Sequence, residues 1–211
     1  PFFIQMSYNA LHYPENATPA LLEKYRKLVS GGNDKEVGRA AIAEDLDRGV
    51  GELLAKVDAM GLSKNTIVIY MSDNGGRSPL LKGGKTVCDE GGLRVPLIVS
   101  GPGVRRGVYS NEPVISYDLY PTLIDFVSPG FALPKGIEGG SWKPLLINEG
   151  TGKVSRPMDR MVWHHDVEIE HPQTALRQGN LKLLHYWDTK EDFLYDLSTD
   201  LGEEHNLASA K

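Results

Sequence analysis

The residues best suited to chemistry in this chain stand in one short run, Ser72-Asp73-Asn74-Gly75-Gly76. A carboxylate beside an amide offers hard oxygen donors, and the glycines behind them leave the backbone free to wrap a cation. Such a set suits Ca2+, with Mg2+ as the second choice. The same run also fits an Asx-type turn that closes a strand. Further on, Lys82-Gly83-Gly84-Lys85-Thr86 sets the Lys85 ammonium, a compact charge matched to an anion, among glycines that allow a close approach of backbone to a ligand. It is not a phosphate-binding P-loop. The first glycine of that motif would fall at Pro79, and no helix is placed to start at Thr86 before Gly91-Gly92. The other reading of Lys85 is an exposed loop lysine.

His12, in Ala10-Leu11-His12-Tyr13-Pro14, lies just past an expected strand and can act as a proton donor near neutral pH, or be a loop histidine with no chemical role. His164-His165-Asp166 has the residue types of a metal cluster. In a strand, however, adjacent side chains point to opposite faces, so both histidines cannot meet one ion. We assign them to structure or to a substrate rim, and Trp163 and Trp187 either join that rim or pack a small sheet. Cys88 is the single cysteine. It has no paired histidine and reads as a small inert side chain. One cysteine excludes an internal disulfide framework and a multi-cysteine zinc site.

The elements that must position these residues follow from pattern. Residues 2–7 read as a strand and Asn9 to Asn16 as a polar loop. Thr18-Pro19 starts a helix, with a hydroxyl N-cap and proline at the first helical position, and Gly31-Gly32 stops it. A longer helix is predicted from about Lys35 to Met60, where apolar residues keep a 3.6 period, with Gly61 at its C′ position. Asn65 to Met71 is a β-branched run that predicts a central strand covered on both faces. Helix followed by buried strand is the signature of an α/β sheet. Residues 74–92 form a glycine-rich loop and Val95 to Ser100 a second buried strand. A helix covers Ser116 to Val127 with Tyr120 and Leu123-Ile124 facing in, and residues 129–152 read as a linker. Short strands at Met161–Trp163, Gln173–Arg177, Leu181–Tyr186 and Phe193–Tyr195, with Gly179-Asn180 turning the middle pair, predict a small antiparallel subdomain. The expected division is therefore 1–155 for the α/β part and 156–211 for the small sheet.

Composition narrows the function. The 211 residues are 40% hydrophobic and 24% charged, ordinary for a folded chain, and carry a net charge of -5. That charge argues against a nucleic-acid partner, and no apolar run approaches the ~20 residues of a membrane span. Pro1-Phe2-Phe3-Ile4-Gln5-Met6 has no initiator methionine and no signal-peptide pattern. It reads as a strand that starts at the first residue, so an upstream part is expected.

Taken in order, these segments resemble one family. Ser72-Asp73-Asn74-Gly75-Gly76 after Asn65-Thr66-Ile67-Val68-Ile69 resembles the second metal-binding segment of sulfatases. Lys82-Gly83-Gly84-Lys85 followed by Glu90-Gly91-Gly92-Leu93-Arg94-Val95-Pro96 is similar to the segment that carries their sulfate-binding lysine. Ser7 to Pro14 resembles the active-site histidine segment. Asp118-Leu119-Tyr120-Pro121-Thr122-Leu123, Leu194-Tyr195-Asp196-Leu197 and Glu203-Glu204-His205-Asn206-Leu207 resemble later landmarks. The resemblance implies the C-terminal part of an alkaline-phosphatase-like α/β domain followed by a small antiparallel α+β subdomain. It implies that Asp73 and Asn74 ligate a divalent cation, usually calcium. Lys85 would bind a sulfate oxygen and offset charge in the transition state, and His12 would protonate or hydrogen-bond the leaving oxygen.

The resemblance is incomplete. Sulfatases use a formylglycine made from Cys or Ser in a Cys/Ser-X-Pro-X-Arg motif, and no such motif occurs here; Cys88 is followed by Asp89-Glu90-Gly91. The nucleophile and the first metal aspartates are expected upstream. The chain by itself is therefore expected to be inactive. A sulfated small molecule or sulfated glycan is the expected partner, and a periplasmic or secreted location follows family habit. Two alternatives share the sequence signals: a phosphodiesterase or phosphonate hydrolase of the same superfamily, and an inactive fragment that binds sulfated glycans.

Overall fold

In the computed structural model, which describes residues 1–166 and 171–210, the chain divides into two units, Pro1–Thr66 and Ile67–Lys211. The first unit is helical. Thr18 caps α1 (Pro19–Leu28) by accepting the Leu21 N–H, with proline opening the helix as predicted. Helix α2 (Asp34–Ala59) begins with a capping box. Asn33 accepts the Glu36 N–H at 3.0 Å, and the Glu36 carboxylate accepts the Asn33 N–H at 2.9 Å. Gly61 ends it at φ +71°, where its N–H reaches the Asp58 carbonyl at 2.8 Å. That is the C′ role the sequence predicts. Val37, Ala41 and Ile42 are the buried apolar residues of this unit.

Residues 2–7 form no strand, contrary to expectation, and Phe2, Phe3, Ile4 and Met6 are exposed. Strand hydrogen bonds need a neighbouring strand to receive them, and no described segment pairs with this one. Apolar composition alone therefore did not make a strand here.

The second unit holds both sheets. Ser63–Asn65 is a 3-10 turn, so the strand expected from Asn65 is only β1 (Val68–Met71). After the short helix α3 (Glu90–Leu93), β2 (Leu97–Ser100) pairs antiparallel with β1, Ile69 opposite Val99 and Met71 opposite Leu97. Ile69, Leu97 and Val99 pack against a core of Trp142, Leu145 and Val154, while Tyr70 and Ile98 on the other face are exposed. The reading of β1 as covered on both faces is thus corrected: one face of a two-stranded sheet is packed.

A 3-10 turn, Ser116–Asp118, leads into α4 (Leu119–Val127). Tyr120 was expected to face inward but is exposed; Asp118, Pro121 and Thr122 take the buried positions. The reason is a polar hub. The Asp118 carboxylate, fully buried, receives Arg156 through both oxygens at 2.9 and 2.6 Å and also accepts the N–H groups of Ile115 and Gly140 at 3.0 and 2.9 Å. The Thr122 hydroxyl donates to the Asp118 carbonyl and accepts the Trp142 N–H. Residues 129–152, read as a linker, contain α5 (Lys143–Ile147), and its Leu145 sits in the core.

Four strands follow in simple meander order: β3 (Met161–His165), β4 (Gln173–Gln178), β5 (Leu181–Tyr186) and β6 (Asp192–Asp196). Gly179 at φ +58° makes the predicted hairpin turn between β4 and β5. Ala175 and Leu184 on the inner face pack with Cys88, flanked by Trp163, Tyr186 and Phe193.

Candidate active site

Ser72, Asp73 and Asn74 follow directly on β1. The Ser72 hydroxyl donates to the Asn74 carbonyl at 3.1 Å, and the Asn74 side-chain nitrogen donates to the Gly75 carbonyl at 2.7 Å. That bond uses one of the two N–H donors, and no described donor bonds the Asn74 side-chain oxygen. The Asp73 carboxylate is exposed and takes only the Ser72 hydroxyl at 3.3 Å. Among the described residues neither side chain accepts a backbone N–H, as an Asx turn requires. The Asp73 carboxylate and the Asn74 amide oxygen fit a calcium-type ion in kind. They do not complete its shell, since no group of three acidic, histidine or cysteine side chains able to hold a metal occurs among the described residues.

Lys85 lies in a turn with Thr86, whose φ is +76°. It is exposed, and no described carboxylate pairs with it, so its charge is available to an anion. The glycines around it have a different role from the one expected. A β-carbon on Gly84 would lie 3.3 Å from the Arg77 amide nitrogen. One on Gly75 would lie 2.1 Å from the Gly91 carbonyl oxygen, and one on Gly92 2.1 Å from that of Val87 and 2.4 Å from that of Gly84. The Gly75 N–H donates to the Gly92 carbonyl at 2.9 Å, and the Gly91 N–H to the Lys82 carbonyl at 2.8 Å. The close approach is backbone to backbone, and it clasps the Asp73-Asn74 loop and the Lys85 loop to the same short helix. Gly92→Ala should therefore push the Lys85 loop away from the short helix. We expect a loss of about 1–3 kcal/mol, the usual cost of overpacking, measured by urea denaturation. An unchanged midpoint would count against the clasp.

Behind the clasp lies a charge network that sequence reasoning missed. The Lys182 ammonium, fully buried on β5, is 2.9 Å from Glu90 Oε1 and 2.7 Å from Glu203 Oε1, the latter out of line for a hydrogen bond. Glu203 accepts the Glu90 N–H at 2.7 Å through its other oxygen, and Arg94 Nε bonds Glu90 Oε2 at 2.6 Å. Burial alone would raise the Glu90 carboxyl, but Lys182 and Arg94 together hold it below the ordinary range. Burial prevails at Glu203, whose carboxyl is pushed up despite Lys182. Glu90, Arg94 and Glu203 stand in runs that resemble family segments, but nothing in the sequence joins them to Lys182.

His12 belongs to the first unit. Its Nδ1 lies 2.7 Å from the Tyr13 carbonyl. A carbonyl only accepts, so Nδ1 carries the proton and Nε2 is the outward nitrogen: an acceptor in the neutral ring, a donor in the imidazolium. His164 and His165 alternate faces as expected. His164 Nδ1 sits 2.7 Å from the Thr174 hydroxyl, which also accepts the Trp187 indole N–H at 2.8 Å. Trp163 packs against the inner core, while Trp187 stays on the surface. Cys88 is buried, and its N–H is held by the Gln173 side chain at 2.8 Å.

Comparison with known proteins identifies the family. A sequence model of the family described as Sulfatase matches residues 1–128, and one described as N-sulphoglucosamine sulphohydrolase, C-terminal, matches residues 84–211. The chain is 31% identical to a protein named Sulfatase from Formosa agariphila, covering 98% of this chain and 42% of that relative. The solved structure of Ps i-CgsB in complex with k-i-k-neocarrahexaose superposes with a TM-score of 0.81 at 26% identity, over 96% of this chain and 45% of that one. That of BT4656 in complex with its substrate D-glucosamine-2-N,6-O-disulfate gives a TM-score of 0.67 at 26% identity, over 88% and 40%. The chain thus spans less than half the length of the relatives it matches.

Proposed function

Because the chain belongs to the sulfatase family, we propose that it serves as the C-terminal part of a sulfuric ester hydrolase that releases inorganic sulfate. The observation that carries this reading is the glycine clasp. It holds a loop with hard oxygens, Asp73 and Asn74, and a loop with an exposed ammonium, Lys85, on one short helix. Hard oxygens for a cation and an ammonium for an anion, on loops tied to one helix, suit a sulfate ester.

The family implies a divalent metal and a formylglycine. Asp73 and Asn74 would hold the metal, most naturally Ca2+. The ion would supply Lewis-acid polarisation of a sulfate oxygen. Lys85 would bind a sulfate oxygen and balance the charge that develops as the ester bond breaks. His12, presenting Nε2, would give a proton to the leaving oxygen when its ring is charged. The formylglycine does not fit any residue of this chain: its only cysteine is buried, and no Cys/Ser-X-Pro-X-Arg motif occurs. No step is assigned through it. We take residues 1–155 as the C-terminal part of the catalytic domain and 156–211 as the small subdomain, a reading supported by the β3–β6 sheet. A sulfated sugar is the favoured substrate class, in line with the disulfated substrate named for BT4656. No described helix is long and apolar enough to cross a membrane. A periplasmic or secreted location is part of the same proposal.

The test is release of sulfate from an aryl sulfate by the intact protein, in which this chain is joined to the rest of the family fold, set against phosphate release from the matching phosphate ester. Sulfate release should dominate, and the 211-residue chain alone should show none. Preferential phosphate release would favour the phosphodiesterase reading instead.

A further inference from the structure

We propose that Lys182 and Glu203 are positioning residues for the anion-binding loop, a role that rests on the sulfatase reading of Lys85. Lys85 lies between two anchors on the same stretch of chain, Lys82 and Glu90. Both anchors are held by the β5–β6 region. At one, the Lys82 ammonium donates to the Tyr195 hydroxyl at 3.2 Å, lies over the Phe193 and Tyr195 rings, and faces Asp89 at 3.5 Å. Tyr195 is the register partner of Lys182 on the neighbouring strand. At the other, Glu90 is gripped at three atoms. Its N–H meets Glu203, one carboxylate oxygen meets Lys182 and the other meets Arg94.

Glu90 is also where the clasp begins. It opens the helix whose Gly91 N–H bonds the Lys82 carbonyl and whose Gly92 carbonyl receives Gly75. The first N–H groups of any helix lack partners within it. Here a carboxylate 113 residues downstream takes the first of them. Any displacement of Glu90 therefore moves the Lys85 loop and the Asp73-Asn74 loop together.

The network is not the cheapest way to fill this space. Desolvating an ammonium and two carboxylates costs several kcal/mol per ion, and well-packed apolar residues of similar size often serve stability as well or better. What an ionic network adds is direction, since its charge-assisted hydrogen bonds hold only over a narrow range of geometry. Lys182 also faces inward while its neighbours Leu181 and Leu183 are exposed. That arrangement places the charge, rather than a leucine, behind the loop.

Three measurements decide the matter. In the unsubstituted 211-residue chain, the amides of Glu90, Gly91 and Gly92 should exchange hydrogen no faster than those of β5; exchange at the rate of exposed loops would overturn the proposal. Glu203→Asp keeps the charge beside Lys182 but shortens its reach to the Glu90 N–H. In the intact protein it should lower kcat at least fivefold per folded molecule, well below the unfolding midpoint, and speed exchange at residues 90–92. Lys182→Met should lower kcat at least tenfold, and adding Glu203→Gln, which removes the stranded carboxylate and keeps an acceptor for Glu90, should restore it to within about threefold. A purely structural role would shift the midpoint and leave kcat per folded molecule unchanged; that result in folded Glu203→Asp would overturn the proposal. If the unsubstituted intact protein releases no sulfate, the sulfatase reading fails, while the exchange measurements still judge the positioning role.

Discussion

Replacing Lys85 with alanine should reduce kcat for sulfate release by the intact protein about 10²- to 10³-fold, the usual cost of removing one preorganised group that stabilises charge in a transition state. The effect is expected on turnover more than on stability. Lys85 is exposed and makes no ion pair with a described residue, so the unfolding free energy should stay within ~0.5 kcal/mol of the parent's. Its backbone is held by neighbours rather than by its own side chain. Val87 donates its N–H to the Gly84 carbonyl, and Gly84 abuts Arg77. The truncation therefore leaves the loop in place and removes only the charge. Lys85→Arg should recover part of the loss, because the planar guanidinium fork does not place its charge where a compact ammonium does. Full activity in Lys85→Ala would remove Lys85 from the mechanism.

Asp118→Ala should have the largest effect on stability, about 3–5 kcal/mol, as expected when one member of a buried ion pair is deleted and the other remains. The variant strands Arg156, which is itself largely buried, and leaves the Ile115 and Gly140 amides without their acceptor. Against a typical total of 5–15 kcal/mol for a folded domain, that loss removes a large share of the margin. Urea denaturation of the 211-residue chain is the measurement. A change below ~1 kcal/mol would mean that Arg156 and the two amides find other partners. Asp118 stands at the start of a run that resembles a sulfatase landmark. Its partners show the reason to be architectural: the carboxylate ties the entry of α4 to the 140 and 156 segments of the chain.

Local order was legible wherever short-range rules decide the outcome. The Thr18 cap, the proline behind it, the Gly61 helix end and the hairpin at Gly179 all depend on a few adjacent residues, and all appear as expected. Where a distant partner decides, the reading failed. Phe2 to Met6 had strand composition but no neighbour to pair with. Asn65 to Met71 looked like a strand covered on both faces, yet its cover is on one. The supposed linker contributes Trp142 and Leu145 to a core that Ile69, Leu97 and Val99 help to form.

For the proposed roles, the sequence alone supplied the candidate groups: hard oxygens at Asp73 and Asn74, an ammonium at Lys85 and, separately, an imidazole at His12. Residue type and local order carry that information, as they carry the family resemblance. Tertiary structure alone decided what the glycines are for and what stands behind them. Leu181-Lys182-Leu183-Leu184 suggests buried leucines and an exposed lysine, but the pairing register turns Lys182 inward to Glu90 and Glu203 and leaves Leu181 and Leu183 exposed. A strand's side chains alternate with a period of two, so a single choice of register settles which set is buried. That choice depends on contacts such as that of Lys182 with Glu90, 92 residues away in the chain.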